Sequence, residues 1–275
     1  MVTEPEPSPY VQVEHLVACY GTRTILDDVS ITAHRGEITV ILGSSGCGKS
    51  TLLRHIVGLL TPASGRILIN GQDFHRVSED EQEAILRNIG MSFQAGALFN
   101  SMSLEDNVAL PIMEHAGADQ ATARMLARMK LSLVGLERAA PLLPSEISGG
   151  MKKRAAIARA LALDPTLLLF DELSAGLDPV TAREIDELVL RLKAQLRVTI
   201  IIVTHELSSI QMIADQAVML HAGKVIAAGA LAQVRSSDNP HVRAFFDRQP
   251  RQLTMEQGLL DTLLVDGGEH GQNPP

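Results

Sequence analysis

The stretch Gly43-Ser44-Ser45-Gly46-Cys47-Gly48-Lys49-Ser50-Thr51 combines three glycines, one lysine and two pairs of adjacent hydroxyls. Its spacing fits G-x-x-x-x-G-K-[ST]. Glycines permit backbone conformations that turn successive N–H groups toward one point, which suits a phosphate. Lys49 can reach the β and γ phosphates of a nucleoside triphosphate, and Ser50 can ligate Mg²⁺. Cys47 lies close to Lys49 and to a helix start, which predicts a favoured thiolate that bound nucleotide would shield. Cys19 is then the indifferent control.

A second group of residues supplies acid. Leu167-Leu168-Leu169-Phe170 is an apolar run ending in Asp171-Glu172. In company with a phosphate loop, Asp171 would hold Mg²⁺ through water, and Glu172 would polarise an attacking water. About twenty residues upstream stands Ile147-Ser148-Gly149-Gly150-Met151. Ser148 can cap the helix that follows, and the two glycines let a ligand approach its N-terminus closely.

These groups need a scaffold. Ile38 to Leu42 reads as a strand covered on both faces, and TLLRHIVGLL after the glycines as a helix. Val11–Val13, Val29–Thr32 and Arg66–Ile69 read as short strands of a small sheet, with Asn70-Gly71 as a hairpin signal. Ser78 and Glu81 have capping-box spacing. Residues 103 to about 136 read as helical. Beyond Ile147, strands at 167–170, 198–203 and 217–220 alternate with helices from Pro179 and Leu207, which predicts a parallel sheet covered on both faces. A short helix is expected over His241–Arg248, with Val242, Phe245 and Phe246 on one side. Residues 1–9 read as a disordered tail. The segment 249–275 is polar apart from Leu259, Leu260, Leu263, Leu264 and Val265. Two expectations stand for this cluster and the one at 242–246: both fold back on their own domain, or residues 250–265 dock onto a second copy of the chain or a small regulatory subunit.

Composition narrows the class. There are 24 Lys plus Arg against 32 Asp plus Glu, a net charge of -8, which disfavours a generic nucleic-acid binder. Aromatic residues are 3% of the chain with no Trp, so no stacking surface is expected. Two cysteines make no disulfide framework. No apolar run approaches the ~18 residues that a spanning helix needs. The acidic, Pro-rich start MVTEPEPSPY is not a signal peptide, so the chain reads as cytosolic.

Taken in order, the phosphate loop, Gln94, Ser148-Gly149-Gly150-Met151, the strand 167–172, Ser174-Ala175-Gly176-Leu177-Asp178 and His205 resemble the nucleotide-binding subunits of ATP-binding cassette (ABC) transporters. The resemblance covers roughly residues 10–235. It implies an α/β P-loop NTPase (RecA-like) core, an antiparallel β subdomain, a helical signature subdomain at about 95–155, and a C-terminal extension over 236–275. It implies that Tyr20 stacks on adenine, that Gln94 links Mg²⁺ and water to a permease, that Asp178 crosses a dimer interface, and that His205 contacts the γ-phosphate. ATP and Mg²⁺ follow as ligands, and a homodimer on a membrane permease as the assembly, peripheral on the cytoplasmic face of the inner membrane. Phe93–Phe99, Met151 and Val242–Phe246 look more narrowly like the ATPases of lipid-transport systems of the lipid-asymmetry and mammalian-cell-entry (MCE) type. That resemblance implies an MCE-type lipid-binding subunit and a small STAS-like regulatory subunit. The coupling element of the permease is expected near Gln94 to Phe99. Leu173 stands where such subunits usually carry proline. The alternatives are a cassette for another substrate, or a soluble P-loop NTPase or kinase not linked to a membrane. A chromosome-maintenance ATPase would insert long coiled coils between Lys49 and Asp171, and no sustained heptad is present there.

Overall fold

The computed structural model describes residues 8–94 and 96–247. The chain opens with two long strands, β1 (Pro9–Tyr20) and β2 (Arg23–His34), then β3 (Ile38–Gly43) and α1 (Lys49–Ile56). A hairpin follows, β4 (Ser64–Ile69) and β5 (Gln72–Asp73), then α2 (Glu79–Arg87) and β6 (Ile89–Ser92). Helices α3 (Leu104–Ala116), α4 (Gln120–Leu133) and α5 (Gly149–Ala160) precede β7 (Leu167–Asp171), α6 (Pro179–Leu196) and β8 (Thr199–Val203). The last elements are α7 (Leu207–Ile213), β9 (Gln216–His221), β10 (Lys224–Ala230), α8 (Leu231–Arg235) and α9 (Pro240–Phe246).

The strands form two sheets. One has four strands in the order β2-β1-β4-β5, all antiparallel. The other has six in the order β10-β9-β3-β8-β7-β6, parallel from β9 through β6. Its central strands β3, β7 and β8 are buried at every position. That explains their unbroken apolar sequences, because helices or a second sheet cover both faces. The period of two sorts their side chains. Ile38, Val40, Leu42, Leu168 and Phe170 face a core built with α3 to α7, while Ile41, Leu167, Leu169 and Val203 face one shared with β1, β2, β4 and α1.

Local sequence explains most boundaries. Ser78 and Glu81 form the expected capping box at the start of α2. Asp178 caps α6 by accepting from the N–H groups of Val180 and Thr181, with Pro179 in the first turn. The helical region expected over 103–136 consists of two helices. Gly117, at φ 64°, ends α3, and the Asp119 side chain caps α4. At the N-terminus Pro9 already belongs to β1. At the other end, α9 folds back on its own chain: Val242 is fully buried, and Phe245 and Phe246 pack on the helical-side core. The apolar cluster at 259–265 lies outside the described residues. Leu173 is also buried in that core, so the side chain is used for packing.

Candidate active site

Parallel strands gather chemistry at their C-terminal ends. Gly43 closes β3, Asp171 closes β7 with Glu172 next, His205 stands two residues past β8, and Gln94 two past β6. Strand register aligns these ends, since Asp171 pairs with Val203 and Ser92 with Phe170. They border a groove of about 830 Å³ lined by Tyr20, Gly43–Gly46, Gly48–Thr51, Gln94, Glu172 and His205.

The loop between β3 and α1 is shaped by its glycines. Gly43 has φ 146°, and a Cβ there would collide with the Leu220 carbonyl of the neighbouring strand. Gly48 has φ 106°, and a Cβ there would strike Leu26. Both positions therefore require glycine for conformation and for space. The Lys49 ammonium is buried and donates to the carbonyls of Gly43 and Ser44, each at 3.0 Å. Ser50 Oγ donates to Asp171 Oδ1 at 3.2 Å. Burial raises the Asp171 carboxyl above its ordinary range, and Glu172 adds to this, while Ser50, Arg54 and Lys49 oppose it. Such a carboxylate gains from a nearby cation. One hydroxyl and one carboxylate are hard oxygen donors, the set Mg²⁺ takes when phosphates and water complete its shell. The described residues hold no cluster of three or more His, Cys, Asp or Glu that could form an all-protein metal cage.

The Glu172 side chain joins two other expected site residues. Gln94 Nε2 donates to its Oε2 at 2.7 Å, and His205 Nδ1 lies 3.1 Å from its Oε1. Its backbone sits at φ 51°. Three loops thus meet on one carboxylate beside the phosphate loop. A carboxylate so placed can take a proton from water, and the imidazole and amide can orient it.

Not every expected residue joins this groove. Ser148 caps α5, accepting from the Met151 N–H at 3.3 Å, and Ser148–Met151 and Asp178 are not among the lining residues. Tyr20 lines the groove and is 48% exposed, so its side chain is accessible there. Cys47 requires a correction. Its side chain is buried in the core behind the loop and does not line the groove, and its backbone N–H donates to the Ser44 carbonyl at 3.3 Å. Burial raises the thiol pKa, outweighing the lowering effect of Lys49, so the expected thiolate is not favoured. Exposed Cys19 should therefore alkylate at least about tenfold faster than Cys47 in the folded chain. A mass-spectrometric time course checks this; equal rates that persist without denaturant would mean that Cys47 is accessible after all.

Other residues enter the site without a sequence signal. Arg23 and Ile25 come from β2, and Phe245 from α9. Lys153, on α5, donates to the Gln94 carbonyl at 2.5 Å and the Glu172 carbonyl at 3.2 Å. Arg159, on the same helix, donates to the carbonyls of Gly96 and Ala97 and so holds the segment after Gln94.

A glycine-rich loop between a strand and a helix, followed by an acid-tipped parallel strand, defines a P-loop nucleoside triphosphatase. The ABC transporter family profile matches residues 26–175, and the chain belongs to that family as an ATP-binding, ATP-hydrolysing transporter subunit. It is 44% identical over 235 residues to the intermembrane phospholipid transport system ATP-binding protein MlaF of Haemophilus influenzae, covering 86% of this chain and 89% of that one. It is 39% identical over 270 residues to the probable ribonucleotide transport ATP-binding protein mkl of Mycobacterium tuberculosis, covering 94% and 75%. Among solved structures, a dimeric post-hydrolysis state of the cassette MJ0796 with ADP and Pi is similar at TM-score 0.73 and 32% identity, over 80% of this chain and 98% of that one. The fold, with its parallel sheet and added antiparallel sheet, is the ABC cassette fold.

Proposed function

We propose that the chain energises phospholipid transport between membranes by hydrolysing Mg-ATP and driving a separate permease. The observation that carries this reading is the 44% identity to a phospholipid-transport ATPase over 86% of the chain. The Phe93–Phe99 segment and Met151 support it. In this reading, Lys49 and the loop N–H groups bind the phosphates, and Tyr20 meets the adenine. Ser50, Asp171 and Gln94 would hold Mg²⁺, Glu172 acts as general base, and His205 contacts the γ-phosphate. Bound Mg²⁺ supplies charge stabilisation to the phosphoryl group.

Two copies pair about a two-fold axis, an isologous arrangement, because Ser148 and Asp178 lie away from their own chain's groove. The Ser148 helix end of each copy then completes the other's site. The dimeric cassette structure similar to this chain supports that assembly.

A permease helix would dock beside the Gln94 segment. A groove of about 380 Å³ runs there between α2, β6, α3 and α5, with Leu86, Met91, Pro111 and Arg159 in its walls. Of the residues expected at this contact, Phe99 is 51% exposed and free to meet a partner, whereas Leu98 packs on the core. Among the described residues no helix is long and apolar enough to cross a membrane. In this reading the chain sits peripherally on the cytoplasmic face of the inner membrane. An MCE-type lipid-binding subunit and a STAS-like regulatory subunit belong to the same reading.

The second reading is a cassette for ribonucleotides, favoured by the mkl relative, which spans 94% of this chain. Reconstitution with a candidate permease in liposomes separates the two. ATP-dependent transfer of a fluorescent phospholipid, absent with Lys49→Ala, is expected. ATP-dependent movement of a ribonucleotide without lipid transfer would replace the first reading with the second.

A further inference from the structure

Helix α5 begins at Ser148, the group read above as meeting the partner's nucleotide. Five residues further on, about 7.5 Å along the axis, it carries Lys153. This half-buried lysine leaves the helix toward its own chain's site. Its ammonium bridges the carbonyls of Gln94, at 2.5 Å, and Glu172, at 3.2 Å. The side chains of those two residues are themselves joined at 2.7 Å. One cation therefore fixes both the backbone and, through it, the side-chain meeting of the permease-side glutamine and the hydrolytic acid. The same short helix has one end directed at a partner and its flank on the acid of its own groove.

We infer that Lys153 is a positioning residue that transmits the state of the Ser148 helix end to Glu172 of the same chain, so that the two nucleotide sites of the dimer communicate through it. A helix moves as a rigid body over this distance. When the partner's nucleotide draws on the Ser148 end, Lys153 moves with it and carries the Glu172 and Gln94 backbones. Neither Lys152 nor Arg154 can do this. Lys152 is exposed, and Arg154 pairs with Glu184 on α6. The inference rests on the readings of Ser148 and Glu172 in the proposed function, and its test is arranged to fail separately from them.

The test uses the assembled cassette–permease complex. Lys153→Met keeps the apolar stem and removes the donors, whereas Lys153→Arg keeps donors. ATPase rate is measured against ATP concentration. Lys153→Met should lower kcat about tenfold, leave half-saturation within about twofold, and bring the Hill coefficient to about 1 from a higher wild-type value. Lys153→Arg should restore most of the rate and the cooperativity. Added to Glu172→Gln, the Met change should cost nothing more, because it acts through Glu172.

Unchanged kcat and Hill coefficient in Lys153→Met overturn the inference. So does a rate loss matched by a fall in thermal midpoint, or a wild-type Hill coefficient of 1. Near-normal turnover in Glu172→Gln alone would instead strike the assignment of the general base.

Discussion

Glu172→Gln should retain ATP and close the dimer while hydrolysing roughly 10²–10⁴-fold more slowly, the usual cost of removing a general base. Glutamine fills the same volume, and its carbonyl can still accept from Gln94 Nε2, which lies 2.7 Å from the native carboxylate. The phosphate loop, with Lys49 on the Gly43 and Ser44 carbonyls and Ser50 on Asp171, is untouched. What disappears is a basic oxygen held between Gln94 and His205. An amide takes no proton from water, so chemistry stops while binding remains. Steady-state phosphate release gives the rate, and light scattering with Mg-ATP reports the closed dimer. A variant with near-normal turnover would transfer the general-base role away from Glu172. One that loses dimer closure along with turnover would show that the carboxylate serves binding.

Legibility in the sequence follows the range of the interactions. The phosphate loop is local: glycine spacing, Lys49 and Ser50, and the flanking strand and helix all lie within twenty residues, so sequence reading places them without the fold. Asp171 and Glu172 are nearly as clear, because a fully buried parallel strand must be apolar and its acidic end stands out. Gln94 and His205 carry no local mark. Each is an ordinary polar residue just past a strand, and only the order of motifs in the family resemblance singles them out. The fold then brings both onto Glu172.

Lys153 was invisible for a further reason. In the run Met151-Lys152-Lys153-Arg154 it reads as part of the solvated face of a helix, and only tertiary packing turns it inward. Phe245 lies in a helix after the last motif and reaches the groove through a fold-back that begins with buried Val242. Cys47 shows the reverse error. Its neighbour Lys49 is legible, but burial is not, and burial decides the thiol's acidity. The helical reading of 103–136 leaves the position of the break open. A glycine in the left-handed region followed by Asp119 is nevertheless a stop and a start in sequence terms.

Lys49→Ala should act on binding, the opposite of Glu172→Gln. The ammonium is buried at the start of α1 and is held by two loop carbonyls, so it is fixed before any nucleotide arrives. Such preorganisation makes a contact to phosphate oxygens worth having, because little side-chain freedom remains to be lost. A charge-assisted hydrogen bond contributes about 1.5–3 kcal/mol. Its loss therefore predicts ATP affinity lower by about ten- to a hundredfold. Alanine also leaves the Gly43 and Ser44 carbonyls without their donor, which loosens the loop that carries the remaining N–H groups. The contrast with shorter nucleotides isolates the contact. Lysine at this position reaches the β and γ phosphates, whereas AMP ends at the α phosphate and meets only the loop and Tyr20. Titration calorimetry with ATP, ADP and AMP on the folded variant gives the three affinities. ATP and ADP should weaken while AMP changes by less than about twofold. Equal weakening of all three would mean that the substitution had collapsed the loop. Unchanged ATP affinity would remove Lys49 from the phosphate site altogether.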